Sequence, residues 1–198
     1  MKIFFDTEFT GLHKDTTLIS IGLVSQDGRT FYAELTDYNK NQVDEWIKKN
    51  VVDNLILDAY GFNSLDEKNL RIKAEKDLVR VNLQRWLEQF EEVEFVSDVS
   101  HYDMVLLIDL AYGHGLNIPY GKVNSSCHDI NQDIAQYLKI SEINAFDFSR
   151  ELFLDLHNIS IEGEKHNALY DAKVIKAIYE IIQNRSSIKT LRRNEKKA

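Results

Sequence analysis

Apolar positions fall in two arrangements along this chain, and each predicts its own kind of element. Ile3, Phe4 and Phe5 form a solid run, which reads as a short strand buried on both faces. Residues 17–35, TLISIGLVSQDGRTFYAEL, hold two further β-rich runs separated by Asp27-Gly28, a dipeptide that supplies the positive φ of a tight hairpin turn. The first 35 residues therefore predict three strands of one sheet. Helical spacing takes over from about Leu70 to Phe90, where Val79, Leu83, Trp86, Leu87 and Phe90 predict an amphipathic helix lying on that sheet. VEFVSDV (93–99) reads as another strand. SHYDMVLLIDLAYGHG (100–115) reads as a helix, with Leu106, Leu107 and Leu110 on one face and Gly113 and Gly115 available to end it. DINQDIAQYL (129–138) is a second short helix, and residues 139–165 show no clear period. The last element begins near Asn167. Ala168, Ala172, Ile175, Tyr179 and Ile182 recur at steps of four and three, which predicts a long helix with its apolar face inward.

Composition narrows this mixed α/β order to one folding unit. With 198 residues and 43% hydrophobic content, the chain can bury one sizeable core. We place the domain at residues 1–185. Residues 186–198 are read as a basic, solvated tail, carrying Lys189, Arg192, Arg193, Lys196 and Lys197. A single cysteine, Cys127, excludes an internal disulfide framework and fits a reducing compartment. MKIFFDTEF meets an acid too soon for a signal peptide, and no run is long enough to span a bilayer, so the expected location is the cytoplasm. A net charge of −8 argues against nucleic-acid binding through a broad basic face. Carboxylates that hold divalent cations reverse that local field, so an acidic protein can still act on a polyanion.

The acids at the end of the first strand bear on that choice. In extended chain Asp6 and Glu8 point to the same side, where two like charges repel unless cations hold them or a proton neutralises one. A solvated turn holding both acids is the plain alternative. Asp171 lies in line with Ile175, Ile178 and Ile182 on the last helix, so its carboxylate faces the core and must be paired, liganded or neutral. His166 precedes that helix and its predicted cap, Asn167, in a position suited to a general base, with a surface histidine beside a structural aspartate as the plain alternative. Asp103 shares a face with Leu106, Leu107 and Leu110, although Ser100 and Asp103 also have the spacing of a capping box.

Taken in order, DTEFTGL, then HYD, then HNALYD closely resembles the three motifs of the DnaQ-like 3′–5′ exonucleases of the DEDDh type. The surrounding text, FFDTEF, WIKKNV and HYDMVLL, resembles most a bacterial and phage exoribonuclease-like branch. The resemblance runs from residue 2 to about 182. It implies an RNase H-like fold, a mixed five-stranded sheet flanked by helices. It also implies that Asp6, Glu8, Asp103 and Asp171 hold two divalent ions, Mg²⁺ or Mn²⁺, with His166 as the base that deprotonates water. Phe9, Thr10, Leu12 and Tyr102 would line the pocket for the terminal nucleotide, an aromatic ring there being able to stack on any base. The implied substrate is single-stranded or 3′-overhanging nucleic acid, RNA by analogy with that branch, and the implied assembly is a homodimer.

Two features depart from the common pattern. Phe9 stands where the first motif usually has threonine, as that branch tolerates. The asparagine that often opens the second motif is absent, which leaves Asp98, at the end of VEFVSDV, as a rival to Asp103. His157, five residues before Glu162, has no apolar helical stripe after it and is set aside. His13, His101, His114 and His128 are read as surface or structural residues without a matching acid. Cleavage of single-stranded DNA, hydrolysis of very short oligonucleotides, and a non-catalytic binding module on the same fold are the competing functions.

Overall fold

A computed structural model describes residues 1–62, 68–113 and 126–195, with side chains described as far as residue 184. At its centre is β1 (Lys2–Phe9), which pairs antiparallel with β2 (Leu18–Ser25) on one side and parallel with β6 (Glu94–Ser97) on the other. β2 turns back into β3 (Thr30–Leu35) through Asp27-Gly28, with Gly28 at φ 91° as the dipeptide required. β3 pairs parallel with β5 (Asn69–Ala74), and two two-residue strands, β4 (Gly61–Phe62) and β7 (His128–Asp129), close the edges. The described sheet thus has seven strands in the order β4-β5-β3-β2-β1-β6-β7. Its five longer strands give the mixed sheet that the motifs implied; the two edge strands are additional.

One boundary differs from the sequence reading. Leu70 to Ala74 is strand, and the helix expected from Leu70 starts only at Lys76, as α2 (Lys76–Glu88). Within that strand Ile72 and Ala74 are buried while Lys73 between them is not, a period of two that the longer helical stripe hid. The residues that carried the stripe, Val79, Leu83, Trp86, Leu87 and Phe90, are all buried.

Alternation along β1 divides the core into two layers. Ile3 and Phe5 face α2 and α3 (Ser100–Tyr112), in a cluster with Phe31, Trp86, Phe95 and Leu107. Phe4 faces the other way, onto α4 (Ile130–Leu138), α6 (Arg150–Asp155) and α7 (Ala168–Glu195), among Phe153, Ile175 and Ile178. Gly113, at φ 60°, follows α3 as expected; Gly115 and His114 lie outside the described residues. The segment that showed no period holds two short helices, α5 (Glu142–Phe146) and α6, each capped by a serine, Ser141 and Ser149. α1 (Glu45–Asn50) packs beside β2 through Ile47. α7 continues to Glu195, past the residue 185 boundary, and residues 196–198 lie outside the described part. None of the described helices is long and apolar enough to cross a membrane.

α7 comes unusually close to the sheet at its first turn. A Cβ on Gly22 would lie 2.3 Å from the carbonyl oxygen of Ala168, so only glycine fits there. Gly22 pairs directly with Asp6 across β1 and β2. The glycine therefore sets how near α7 stands to the first acid.

Candidate active site

Asp6 and Glu8 share the face of β1 that carries Phe4, so both point toward α7. Asp171, in the first turn of α7, meets them there, and its Oδ2 accepts a 2.8 Å hydrogen bond from the backbone N–H of His166. That bond holds His166 at φ 64°, an uncommon backbone conformation for a residue with a Cβ. Asn167 caps α7 as predicted, its Oδ1 accepting from the N–H groups of Leu169 and Tyr170. Its Nδ2 donates to the hydroxyl of Tyr32 and the carbonyl of Asn54. Tyr32 donates in turn to the buried Glu34, which also accepts from the N–H groups of Ile56 and Leu57 and pairs with Lys73 at 3.1 Å. A buried polar chain thus ties the histidine loop to the middle of the sheet.

Asp103 reaches the same point from the opposite layer. Its carboxylate is 1% exposed and accepts from the hydroxyls of Thr7, at 2.6 Å, and Ser97. The capping-box alternative is not realised: Ser100 bonds to Asp129 and Asp103 turns inward. Asp98 and Asp103, considered as rivals, converge. Ligand atoms of Asp6, Asp98 and Asp103 lie within 4.8 Å of one another, and those of Glu8, His166 and Asp171 form a second group of the same spread.

The electrostatics follow from this crowding. Burial, then the neighbouring carboxylates, raises Asp6 and Glu8 well above the usual range. Burial also pushes Asp103 and Asp171 up to about 7, against the hydrogen bonds that lower them. His166 is shifted the other way, downward, by burial and by the charge of Lys165. Its Nδ1 lies 4.0 Å from Glu8. Asp6 is only 9% exposed, and its carboxylate accepts no hydrogen bond from the described residues. Such a group needs a proton or a cation, and a set of carboxylate oxygens beside a single imidazole suits a hard divalent ion such as Mg²⁺ or Mn²⁺. Asp6, Glu8, Asp98, His166 and Asp171 line a cavity of about 400 Å³ together with Phe146, Phe148 and Arg150.

The expected substrate-pocket residues fall into different settings. Phe9 and Tyr102 stack on each other, with centroids 5.4 Å apart and planes 12° from parallel. Leu12 is 74% exposed. Thr10 is buried, its hydroxyl donating to Gln42 and accepting from the N–H of Thr17. Sequence reasoning passed over Trp46, which is 56% exposed and stands edge-on to the His166 ring at 5.2 Å. It also passed over Arg150 and Gly22. A lone tryptophan, arginine or glycine carries no pattern that would single it out.

One histidine needs correcting. His128 does have an acid five residues on, Asp133, and its Nε2 lies 2.6 Å from that carboxylate. This pair sits near the start of β1, beside Glu94 and Lys2, at the far end of the strand from Glu8. His157 is held by the Tyr137 hydroxyl and the Phe153 carbonyl, away from Glu162.

Residues 1–183 match the family described as the 3′–5′ exoribonuclease Rv2179c-like domain. Two curated relatives from Mycobacterium tuberculosis, the 3′–5′ exoribonucleases Rv2179c and MT2234.1, are each 29% identical over 112 residues, or 56% of this chain and 61% of theirs. The matched stretch is thus less than two thirds of the length of those relatives. Among solved structures, the 3′-exonuclease that recognises the 3′ end of the histone mRNA stem-loop superposes with a TM-score of 0.60 at 13% identity, over 92% of this chain and 81% of its own. S. pombe Pop2p, in its Mg²⁺- and Mn²⁺-bound form, gives 0.58 at 18% identity, over 93% and 83%. The cell-death related nuclease CRN-4 gives 0.60 at 15%, over 92% and 63%. These likenesses establish a shared RNase H-like fold.

Proposed function

The chain belongs to the Rv2179c-like 3′–5′ exoribonuclease domain family, and from that membership we propose that it shortens single-stranded or 3′-overhanging RNA from the 3′ end, one nucleoside 5′-monophosphate at a time, in a reaction that needs divalent cations. The observation that carries this reading is the convergence of Asp6, Glu8, Asp103, Asp171 and His166 from two layers on the end of β1, with Asp6 nine-tenths buried and without a hydrogen-bond donor among the described residues.

In this reading Asp6, Glu8, Asp103 and Asp171 hold two ions, Mg²⁺ or Mn²⁺; the presence of both metals in the Pop2p structure supports the choice. When bound, such ions lower the pKa of a water ligand and stabilise the departing 3′ oxygen. His166 takes the proton from the attacking water. Its lowered pKa keeps the imidazole neutral, and so able to accept, at pH 7. The His166–Asp171 bond and the Asn167 cap fix where that imidazole stands. Phe9, Tyr102 and Leu12 offer apolar surface to the terminal nucleotide, with the Thr10 hydroxyl holding the turn between Phe9 and Leu12. Stacking tolerates any base, in keeping with cleavage independent of sequence. The family resemblance extends the proposal to a homodimer working in the cytoplasm, to be checked by sedimentation velocity.

The deciding experiment is a time course on 5′-labelled single strands of RNA and DNA of one sequence, with Mg²⁺, with Mn²⁺ and with chelator. A metal-dependent ladder shortening from the 3′ end is expected, faster on RNA. A faster DNA ladder would change the substrate, and no shortening of either strand in any metal would turn the reading to a binding module.

A further inference from the structure

Asp98 has two attachments that place its carboxylate, and both belong to one assembly. The guanidinium of Arg150 donates through Nη1 to the carbonyls of Ala145 and Phe148 at 2.8 and 2.9 Å, through Nη2 to Oδ1 of Asn131, and through Nε to Oδ2 of Asp98 at 3.3 Å. Asn131 closes the circuit by donating from Nδ2 to the backbone carbonyl of Asp98 at 2.7 Å. The Arg150 side chain is 13% exposed, so its cation is fixed rather than swinging in solvent. Four separate acceptors leave it little freedom to leave Asp98.

This assembly holds Oδ2 of Asp98 and leaves Oδ1 without a hydrogen bond to any described residue. The carboxylate lies within 4.8 Å of ligand atoms on Asp6 and Asp103, the first of which is nine-tenths buried with no donor among the described residues. A surface ion pair has no reason to sit among four other acids. If Asp98 served only Arg150, burying its charge there would raise the repulsion at the centre for no return. With cations present the balance changes sign: two divalent ions and one guanidinium offset five carboxylates.

We infer that Asp98 is a fifth carboxylate of the cation site, held toward the Asp6–Asp103 corner by Arg150, so that a divalent cation there meets three acids. The inference rests on the cation requirement proposed above and adds one ligand and one positioning residue to it. It also gives the layer formed by α4, α5 and α6 a role, because Asn131, Ala145 and Arg150 come from those three helices.

The test is Mn²⁺ binding without nucleic acid, followed by the electron paramagnetic resonance of free Mn²⁺ and by calorimetry at one pH and ionic strength. Asp98→Asn keeps an oxygen for Arg150 and removes the charge; its dissociation constant should rise about tenfold or more, with the metal-free melting temperature unchanged or higher. Arg150→Lys, which keeps the charge but loses the fork, should raise it by a smaller factor. Asp103→Asn is the reference for loss of a ligand. Wild-type affinity and stoichiometry in Asp98→Asn, beside a clear loss in Asp103→Asn, would overturn the inference and leave the proposed function standing. No Mn²⁺ binding by the wild type would overturn both. A Mn²⁺-soaked crystal of the wild type gives a check free of variants: the ion should lie about 2.0–2.6 Å from a carboxylate oxygen of Asp98, and an ion beyond that reach sinks the inference.

Discussion

Burial and four neighbouring acids all act on Asp6, and each raises its pKa. Asp6→Asn should abolish turnover on labelled RNA, by about a thousandfold or more, because a neutral amide oxygen lacks the carboxylate charge that holds Mg²⁺. The same change should leave the metal-free melting temperature equal or raised, since it removes a repelling charge. Loss of activity together with a collapsed fold would mean that the carboxylate is structural. His166 answers to a different measurement. His166→Ala should cut the rate by about 10²–10⁴-fold with Mn²⁺ binding retained. In the wild type the base must be neutral, so activity should rise with pH along an acid limb whose midpoint lies below 6.5, the direction in which burial and Lys165 move this histidine. A limb centred well above 6.5 would assign the proton to another group. Asp6 was readable from spacing, because it had to share a strand face with Glu8, and His166 from its place just before the helix whose inner face carries Asp171. Asp98 was readable only as a competitor to Asp103, because Thr7 and Ser97 hold the Asp103 carboxylate and Arg150 holds that of Asp98, contacts that no spacing contains.

At the level of elements, the contact between α7 and β2 decides the site. Gly22 admits the Ala168 carbonyl where any side chain would strike backbone, and Asp6 lies directly across the strand pair. Gly22→Ala should therefore cost about 1–3 kcal/mol in chemical denaturation. By moving Asp171 and His166 away from β1 it should also slow turnover by about a hundredfold, the scale expected of a displacement near 1 Å. A destabilised variant with full activity would show that the first turn of α7 can shift without consequence. Elements with a strong apolar period were legible: β1 to β3, β6, α3, α4 and α7 stand where the pattern put them. β5 was not, because a six-residue alternation ran into the helical stripe of α2. Nor were α5 and α6, too short to show a period and recognisable only by their serine caps.

Across the whole molecule, two helical layers on one sheet bring like charges to a single strand end, and stability should record that. Asp103 and Asp171 keep protons in the folded chain up to about pH 7, while in the unfolded chain they release them near 3.8. The folded state then binds more protons, so the stability of the metal-free protein should fall as pH rises from about 4 through 7. His128, raised by its bond to Asp133, adds a contribution of the same sign, present below 6.5 and lost as pH climbs through its folded value. Saturating Mg²⁺ or Mn²⁺ should reverse the loss at pH 7.5, by about 2.7 kcal/mol at a hundred times the dissociation constant, or roughly 5–10 °C in melting temperature. Melting curves with chelator that stay flat over this pH range would contradict the crowding of acids. By itself, the sequence determined the strands and helices with long apolar periods, the sides on which Asp6, Glu8 and Asp171 point, and the order of motifs, because these depend on neighbours along the chain. Tertiary structure alone decided that the carboxylates of Asp98 and Asp103 come within 4.8 Å of each other, that Gly22 admits α7, that Trp46 meets His166 and that Arg150 holds Asp98. Those contacts link residues separated by several elements, and their distances are set by how layers pack, a quantity that periodicity does not encode.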